Sequence, residues 1–426
     1  MRKLTAHPHY EKICEWFRLI TITGGAQLVV QATALISGII IIRLLPTKEY
    51  ALYTLANTML GTLSVLSDGG ISSGVMAQGG KVWRDKVKLG EVLATGLNLR
   101  RKFALVTLII IIPILSYLLY HHGAGFWSVI LIVGALVPAF FAILSDSLLE
   151  IVPKLHQDIG PLQKNQVSVS LTRTLLSAFL LFFFPFSFLA IFINGLTRIY
   201  GNFQLKKIAA KFTIPNQAAN PVIEKEILRI VKRVLPTSIY YCFSGQITVW
   251  LISIFGNTNS LAEIGAISRL TMVIGVLSAM FGALVVPRFS RLEEVRQRLL
   301  NFFLNVQVLV IFSCLIIILL TWIFSSQLLY VLGKNYASLD IELLLSMIGA
   351  CISFLAGVSF TLYNSRGWMI NPFLSIGIDI FVIIIGVFLF PVSTLKGVLA
   401  FNILTASFLY FSNTWYAFYK IRRSRL

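Results

Sequence analysis

The sequence predicts an all-α integral membrane protein with about twelve transmembrane helices in two parallel six-helix lobes. Three observations predict it. The chain is 57% hydrophobic and only 12% charged, with a mean hydropathy of +0.83, whereas a soluble chain is about a quarter charged. Long apolar runs recur along all 426 residues. The basic residues between those runs alternate in density from one gap to the next.

Crossing a ~30 Å hydrocarbon core takes about 20 apolar residues. Twelve runs qualify: 19–42, 50–77, 103–120, 126–150, 165–184, 186–200, 235–256, 261–287, 302–323, 340–363, 369–390 and 397–418. The fifth and sixth are split only by Pro185 and its neighbours, and the sixth is short. The first run starts near Leu19 and is too long for a signal-peptide core, so it is expected to remain as a membrane helix.

Loop charge orients the set. Of the Lys and Arg residues, thirty lie in the odd gaps and the tail, and four in the even gaps: Arg43, Lys48, Lys334 and Lys396. A missed helix would scramble this alternation. The basic side is cytoplasmic by the positive-inside rule, which places both termini in the cytoplasm. The same rule accounts for the net charge of +19. No basic stripe with a reading module points to nucleic acid.

The domain reading is a cytoplasmic segment 1–18, an N-lobe 19–200, a cytoplasmic linker 201–234, a C-lobe 235–419 and a basic tail 420–426. In the linker, Ile223, Ile227, Ile230 and Val234 share one helical face, with Lys225, Arg229, Lys232 and Arg233 off it. That pattern predicts an interfacial helix on anionic membrane lipid. Leu89, Leu93 and Leu97 form a similar face between the second and third runs. An internal match supports a repeat: Gly61-Thr62-Leu63-Ser64 returns as Gly275-Val276-Leu277-Ser278, and Thr58-Met59 as Thr271-Met272.

No catalytic motif, phosphate loop or cluster of His with carboxylates occurs, so no enzyme activity, cofactor or metal is expected. Cys14 lies in the N-terminal segment, and Cys242, Cys314 and Cys351 fall in separate runs, so no disulfide is expected. Charged residues inside the runs are the stronger signal, because each costs about 2.5–3.5 kcal/mol on insertion scales. Arg173 and Arg269 are the two intramembrane cations. Cavity lining and an ion pair within one bundle are both open for them. Gln27 and Gln31 share a face of the first run, and Gln246 occupies the matching region of the seventh. These five are the candidate substrate contacts. Asp146 and Glu150 read as interfacial, whereas Asp379 lies mid-run and reads as paired or functional. Asp68, Gly69 and Gly70 interrupt the second run. They read as a hinge in which Asp68 binds a coupling proton or sodium or pairs with a base. Alanine at both glycines is expected to stiffen the segment without loss of folded protein.

Several stretches resemble polysaccharide flippases. Ile40-Ile41-Ile42-Arg43-Leu44-Leu45-Pro46-Thr47-Lys48-Glu49-Tyr50-Ala51-Leu52-Tyr53 resembles the passage from their first helix to their second, with Ala51 where Gly is common. Ser67-Asp68-Gly69-Gly70-Ile71 is similar to the break late in their helix 2. Ile264 to Leu270, followed by Pro287-Arg288, resembles helix 8; Leu332-Gly333-Lys334-Asn335-Tyr336 resembles an outer turn; Leu362 to Gly367 resembles the turn after helix 10. The resemblance implies the polysaccharide (O-antigen-type) branch of the multidrug/oligosaccharidyl-lipid/polysaccharide exporter superfamily. It implies a bacterial inner-membrane flippase for polyprenyl-pyrophosphate-linked oligosaccharides, serving O-antigen, capsule or exopolysaccharide synthesis alongside polymerase machinery. Arginine suits a pyrophosphate because its fork binds oxygens in pairs. The alternatives are a drug or cation exporter of the same superfamily, expected to favour acids over arginines, and a membrane-embedded glycan polymerase or ligase, expected to carry a long outer loop.

Overall fold

Backbone polar groups in hydrocarbon must be satisfied within their own segment, so each apolar run should be helical. In the computed structural model of the chain each run is helical over its described residues, two of them as a pair of helices. The structure describes residues 8–423, apart from 215–216, 287–288, 290–291, 293–294, 367, 369 and 371. The first half comprises α1 (Pro8–Leu44), α2 (Thr47–Asp68), α3 (Ile71–Val82), α4 (Lys86–His121), α5 (Phe126–Leu149), α6 (Ile151–Leu155), α7 (Ile159–Phe183), α8 (Ser187–Ala209) and α9 (Pro221–Ser244). The second comprises α10 (Ile247–Phe255), α11 (Thr258–Leu284), α12 (Arg296–Ile323), α13 (Ser325–Leu332), a 3-10 turn (Lys334–Tyr336), α14 (Asp340–Ser365), α15 (Pro372–Leu389) and α16 (Leu395–Arg423). The described residues contain no strand. Among the described residues seven spans are long and apolar enough to cross a membrane: α4, α5 with α6, α7, most of α11, α12, α14 and α16. α1 and α15 add the shorter apolar stretches Leu28–Leu44 and Phe373–Leu389.

Side-chain chemistry sets the helix ends. Asp85 caps α4 by accepting from the backbone N–H of Val87 at 3.0 Å and of Lys88 at 3.2 Å. Asn257 caps α11 through Ser260 N–H at 2.7 Å, and Asn220 caps α9 through Val222 N–H at 2.9 Å. Such caps satisfy donors that the first helical turn leaves open. The Phe184-Pro185-Phe186 break separates α7 from α8, so the weakest predicted pair is two helices. α8 runs on to Ala209, well past the apolar run.

The chain divides into two compact units, Met1–Ser244 and Gly245–Leu426. In the first, α5 packs most extensively on α8; in the second, α14 packs most extensively on α16. These are the fourth and sixth predicted segments of each half. The α2–α5, α4–α5 and α7–α8 pairings of the first unit recur as α11–α14, α12–α14 and α15–α16 of the second. The internal repeat therefore extends from sequence offsets to helix pairings. α12 shows how each unit meets lipid. Its Phe303, Val306, Val310 and Cys314 are buried, while Leu309, Phe312 and Leu315 are 61%, 61% and 59% exposed. A helix apolar on both its buried and its outer side suits a bilayer, not water.

The second run is interrupted where expected, because Gly69 and Gly70 adopt left-handed φ values of 47° and 97° and separate α2 from α3. The structure corrects three other sequence expectations. The seventh run, 235–256, is broken at Gly245-Gln246, between α9 and α10. The amphipathic linker helix does not lay its apolar face on lipid. Ile227 is buried and Ile223 packs against the same cluster, which also holds Ile71, Val75, Leu89, Leu93 and Leu99. The Leu89-Leu93-Leu97 face packs there too and belongs to the start of α4. Finally, Cys314 and Cys351 do not lie apart. Each thiol donates to the other's carbonyl, at 3.9 and 4.0 Å, across α12 and α14. Both remain free thiols, as does Cys242. Cys14 side-chain structure lies outside the described residues.

Candidate functional site

In the first unit, α1 and α7 pair along a seam of small polar side chains. Thr33 and Ser37 on α1 and Ser170 and Ser177 on α7 are all buried. The Thr174 hydroxyl donates to the Thr33 carbonyl at 3.3 Å. Small residues let helix backbones approach closely in lipid, and hydroxyls bridge them. This contact sets Gln31 and Arg173 on paired helices at neighbouring levels, each partly buried. Gln27 lies on α1, but its side chain is outside the described residues.

Asp68 and the glycines after it form a second polar locus. Asp68 accepts from the backbone N–H of Ser72 at 3.1 Å and from its hydroxyl at 2.7 Å, which caps the start of α3. It also pairs with Arg100. Sequence reasoning placed Arg100 in a basic loop. It lies instead inside α4, 3% exposed. Its guanidinium donates to the Ser72 hydroxyl at 2.9 Å, to the Leu144 carbonyl and to the Ser147 hydroxyl. Of the three roles open to Asp68, the structure displays pairing with a base.

Asp146 and Glu150 stand at the C-terminal end of α5. Asp146 is buried, accepting from Asn202 Nδ2 at 2.8 Å, with Arg198 Nη1 at 3.8 Å. Glu150 accepts from Lys154 at 2.8 Å and from Gln166 at 3.2 Å. The acids at the C-terminal ends of α2 and α5 are thus all committed to partners in their own unit. At the opposite end, Glu49 in the first turn of α2 accepts from the Ser187 backbone N–H at 2.7 Å, which opens α8. A carboxylate suits that place because a helix N-terminus carries positive partial charge.

In the second unit, Arg269 is partly buried on α11. Glu263 precedes it at the same offset from Glu49 as Gly275 from Gly61. Glu263 lies within electrostatic reach of Glu342, which pairs with Lys396 at 3.6 Å in the first turn of α16. The acid at the start of α16 is thus Glu342, whereas in the first unit Glu49 holds the start of α8. Gln246 is not mid-helix as expected; it lies within the break, immediately before α10. Asp379 is 7% exposed on α15, beside Ile378 and Ile380 that are 38% and 44% exposed. An ionisable group held inward from an apolar surface marks a functional or paired position.

A buried polar network in this unit escaped sequence reasoning. Gln307 donates to Ser359 at 2.8 Å, Ser359 shares a 3.0 Å hydrogen bond with Thr414, and Tyr363 donates to Asn413 at 3.1 Å. Gln307 and Asn413 inside apolar runs were its only sequence signal. No group of three or more His, Cys, Asp or Glu able to hold a metal occurs among the described residues.

No protein family matches the sequence, and no curated protein does. Solved structures do match the fold. An inward-facing multidrug resistance MATE family transporter of the MOP superfamily superposes with a TM-score of 0.72 at 16% identity, over 92% of this chain and 94% of that one. An outward-facing MATE family transporter gives 0.64 at 15% identity, over 95% of each chain. A MOP superfamily transporter from Pyrococcus furiosus, described for a reverse polarity of its binding pocket that suggests a different function, gives 0.63 at 14% identity, over 95% of each chain. The chain has the all-helical fold of MATE transporters of the MOP superfamily.

Proposed function

We propose that this chain is a secondary transporter that exports amphipathic solutes by alternating access, with no catalytic step. The observation that carries the reading is the likeness of fold to MATE transporters over at least nine-tenths of the chain. Taken alone, that likeness favours a drug or cation exporter over a glycolipid flippase, because the neighbours are described as multidrug transporters.

The charge distribution favours a second substrate class. The acids at the C-terminal ends of α2 and α5 are held by Arg100, Asn202, Arg198, Lys154 and Gln166. Arg173 and Arg269 sit partly buried within the apolar helices α7 and α11. Cations placed within apolar helices suit an anionic headgroup, and a polyprenyl-pyrophosphate-linked oligosaccharide is the solute of that kind which the sequence resemblance implies. In this reading Arg173 and Arg269 contact pyrophosphate, and Gln27, Gln31 and Gln246 contact sugar. The host would be a bacterial inner membrane with both termini cytoplasmic.

Two assays separate the substrate classes. Complementation of a flippase-null strain, scored for surface polysaccharide, tests the glycolipid. Efflux of ethidium from cells lacking their own exporters tests the cation. Polysaccharide without ethidium efflux supports the flippase, the converse supports the drug exporter, and failure of both across a panel of hosts and dyes rejects the transporter reading.

A further inference from the structure

The predicted seventh membrane segment is divided between the two units. Its first part belongs to α9, and α9 lies along the first unit. Three glycines make the seat. A Cβ on Gly69 would stand 2.7 Å from Leu235 Cδ1, one on Gly70 2.8 Å from Val234 Cβ, and one on Gly74 2.8 Å from Ile227 Cγ2. Further along, the Cys242 thiol donates to the Thr62 carbonyl at 3.7 Å. The contacts run 242 with 62, 235 with 69, 234 with 70 and 227 with 74. That is one antiparallel helix laid along α2 and α3 across their break.

Polar contacts fix the other end. Asn220 donates from its backbone N–H to Thr95 Oγ1 at 2.9 Å and from its amide to Glu91 Oε2 at 3.3 Å. Glu224 pairs with Lys102 at 2.9 Å and Glu226 with Lys81 at 3.6 Å. These charged groups are largely exposed and add little stability; the apolar seat on the glycines carries most of the hold. At Ser244 the helix stops. Gly245 and Gln246 form a turn, and helical bonding resumes with Trp250 N–H on the Gln246 carbonyl at 3.0 Å. α10 then packs on α11 and α16 of the second unit.

We propose that α9 is a fixed arm of the first unit and that Gly245-Gln246 is the swivel of the transport cycle. This rests on the transporter reading. A transporter that alternates access must move one unit against the other, and the covalent path between them narrows to this two-residue turn. Hinges of this kind are a few element-terminal residues that absorb the φ/ψ change. The glycines at 69, 70 and 74 are then seat residues that keep α9 from following the second unit.

The test uses the full chain with its four cysteines replaced by alanine and a disulfide engineered across the seat, Gly74→Cys with Ile227→Cys. A Cβ at Gly74 would lie 3.3 Å from Ile227 Cβ, close to disulfide range. Expected is efficient closure under copper–phenanthroline and export by the oxidised protein at the rate of its reduced form. Loss of export on oxidation, restored by reductant, means that α9 must leave its seat and overturns the proposal, as does failure of the disulfide to form. Hydrogen exchange supplies a readout independent of transport. In Ile227→Ala, α9 amides should exchange about tenfold faster while those of α10 stay unchanged; a matching rise in α10 overturns the swivel. If neither form exports, the transporter reading fails while the exchange result still decides whether the arm and the joint exist.

Discussion

The Arg100 guanidinium donates to the Asp68 carboxylate across the break that ends α2. It ties α2 and α4 together where two left-handed glycines would otherwise leave the chain free to bend, and its other nitrogen reaches Leu144 and Ser147 of α5. A buried pair of this kind adds less than its Coulomb energy suggests, but removal of one partner strands the other charge.

Arg100→Ala should therefore lower stability by about 3–5 kcal/mol. Asp68→Asn combined with Arg100→Gln should cost less than Arg100→Ala, because neither charge is then left alone. Thermal unfolding of the three purified variants in detergent, followed by thiol-reactive dye, checks the order. Equal midpoints for Arg100→Ala and wild type would remove the pair from any structural role.

The glycines divide into two sets. Gly70→Ala meets both a left-handed backbone and Val234, and should cost about 2–4 kcal/mol. Gly61 and Gly275 meet nothing within 4 Å and lie inside helices, so alanine there should stabilise by up to about 1 kcal/mol. Folded yield by size-exclusion fluorescence should fall for the first and hold for the others. This reverses the sequence expectation that alanine at Gly69 and Gly70 leaves the folded amount intact: the seat for α9 depends on contacts more than 150 positions away.

Much of the fold was legible because hydropathy reports burial in lipid directly. Over the described residues all twelve runs fall in helices, two of them broken at glycines, and the doubtful pair around Pro185 is two helices. What could not be read was contact between distant positions. Ile227 and Leu89 look like interfacial residues in sequence, since an amphipathic face reads the same whether protein or lipid covers it. Arg100 looks like a loop residue because a helix extends through a charged stretch as readily as it ends there when a partner awaits. Gln246 looks mid-helix because nothing local marks the end of α9 except one glycine.

Topology gives an independent check. Tags at His121–Gly125 and Gly256–Ser260 should report outside, and tags at 201–234 or the C-terminus should report cytoplasm. The thirty-to-four division of basic residues motivates this. Cysteine accessibility to a membrane-impermeant maleimide in whole cells reads it out, and external labelling at 201–234 would end the parallel-repeat reading.

Arg173 and Arg269 carry the substrate reading, and their replacement tests it most directly. Arg173 sits on α7 beside Thr174, whose hydroxyl is bound to α1, so its backbone is held by the seam whatever its side chain does. Arg269 lies on α11, between buried Ile267 and Leu270. Arg173→Ala and Arg269→Ala should each leave expression and melting near wild type while cutting polysaccharide export at least several-fold. Lysine at either place should restore part of the activity, because it keeps the charge but not the paired donors of the guanidinium. A merely structural arginine gives a different pattern: melting falls together with export, and lysine rescues both or neither. If the alanine variants export polysaccharide at the wild-type rate, pyrophosphate contact at these positions is wrong.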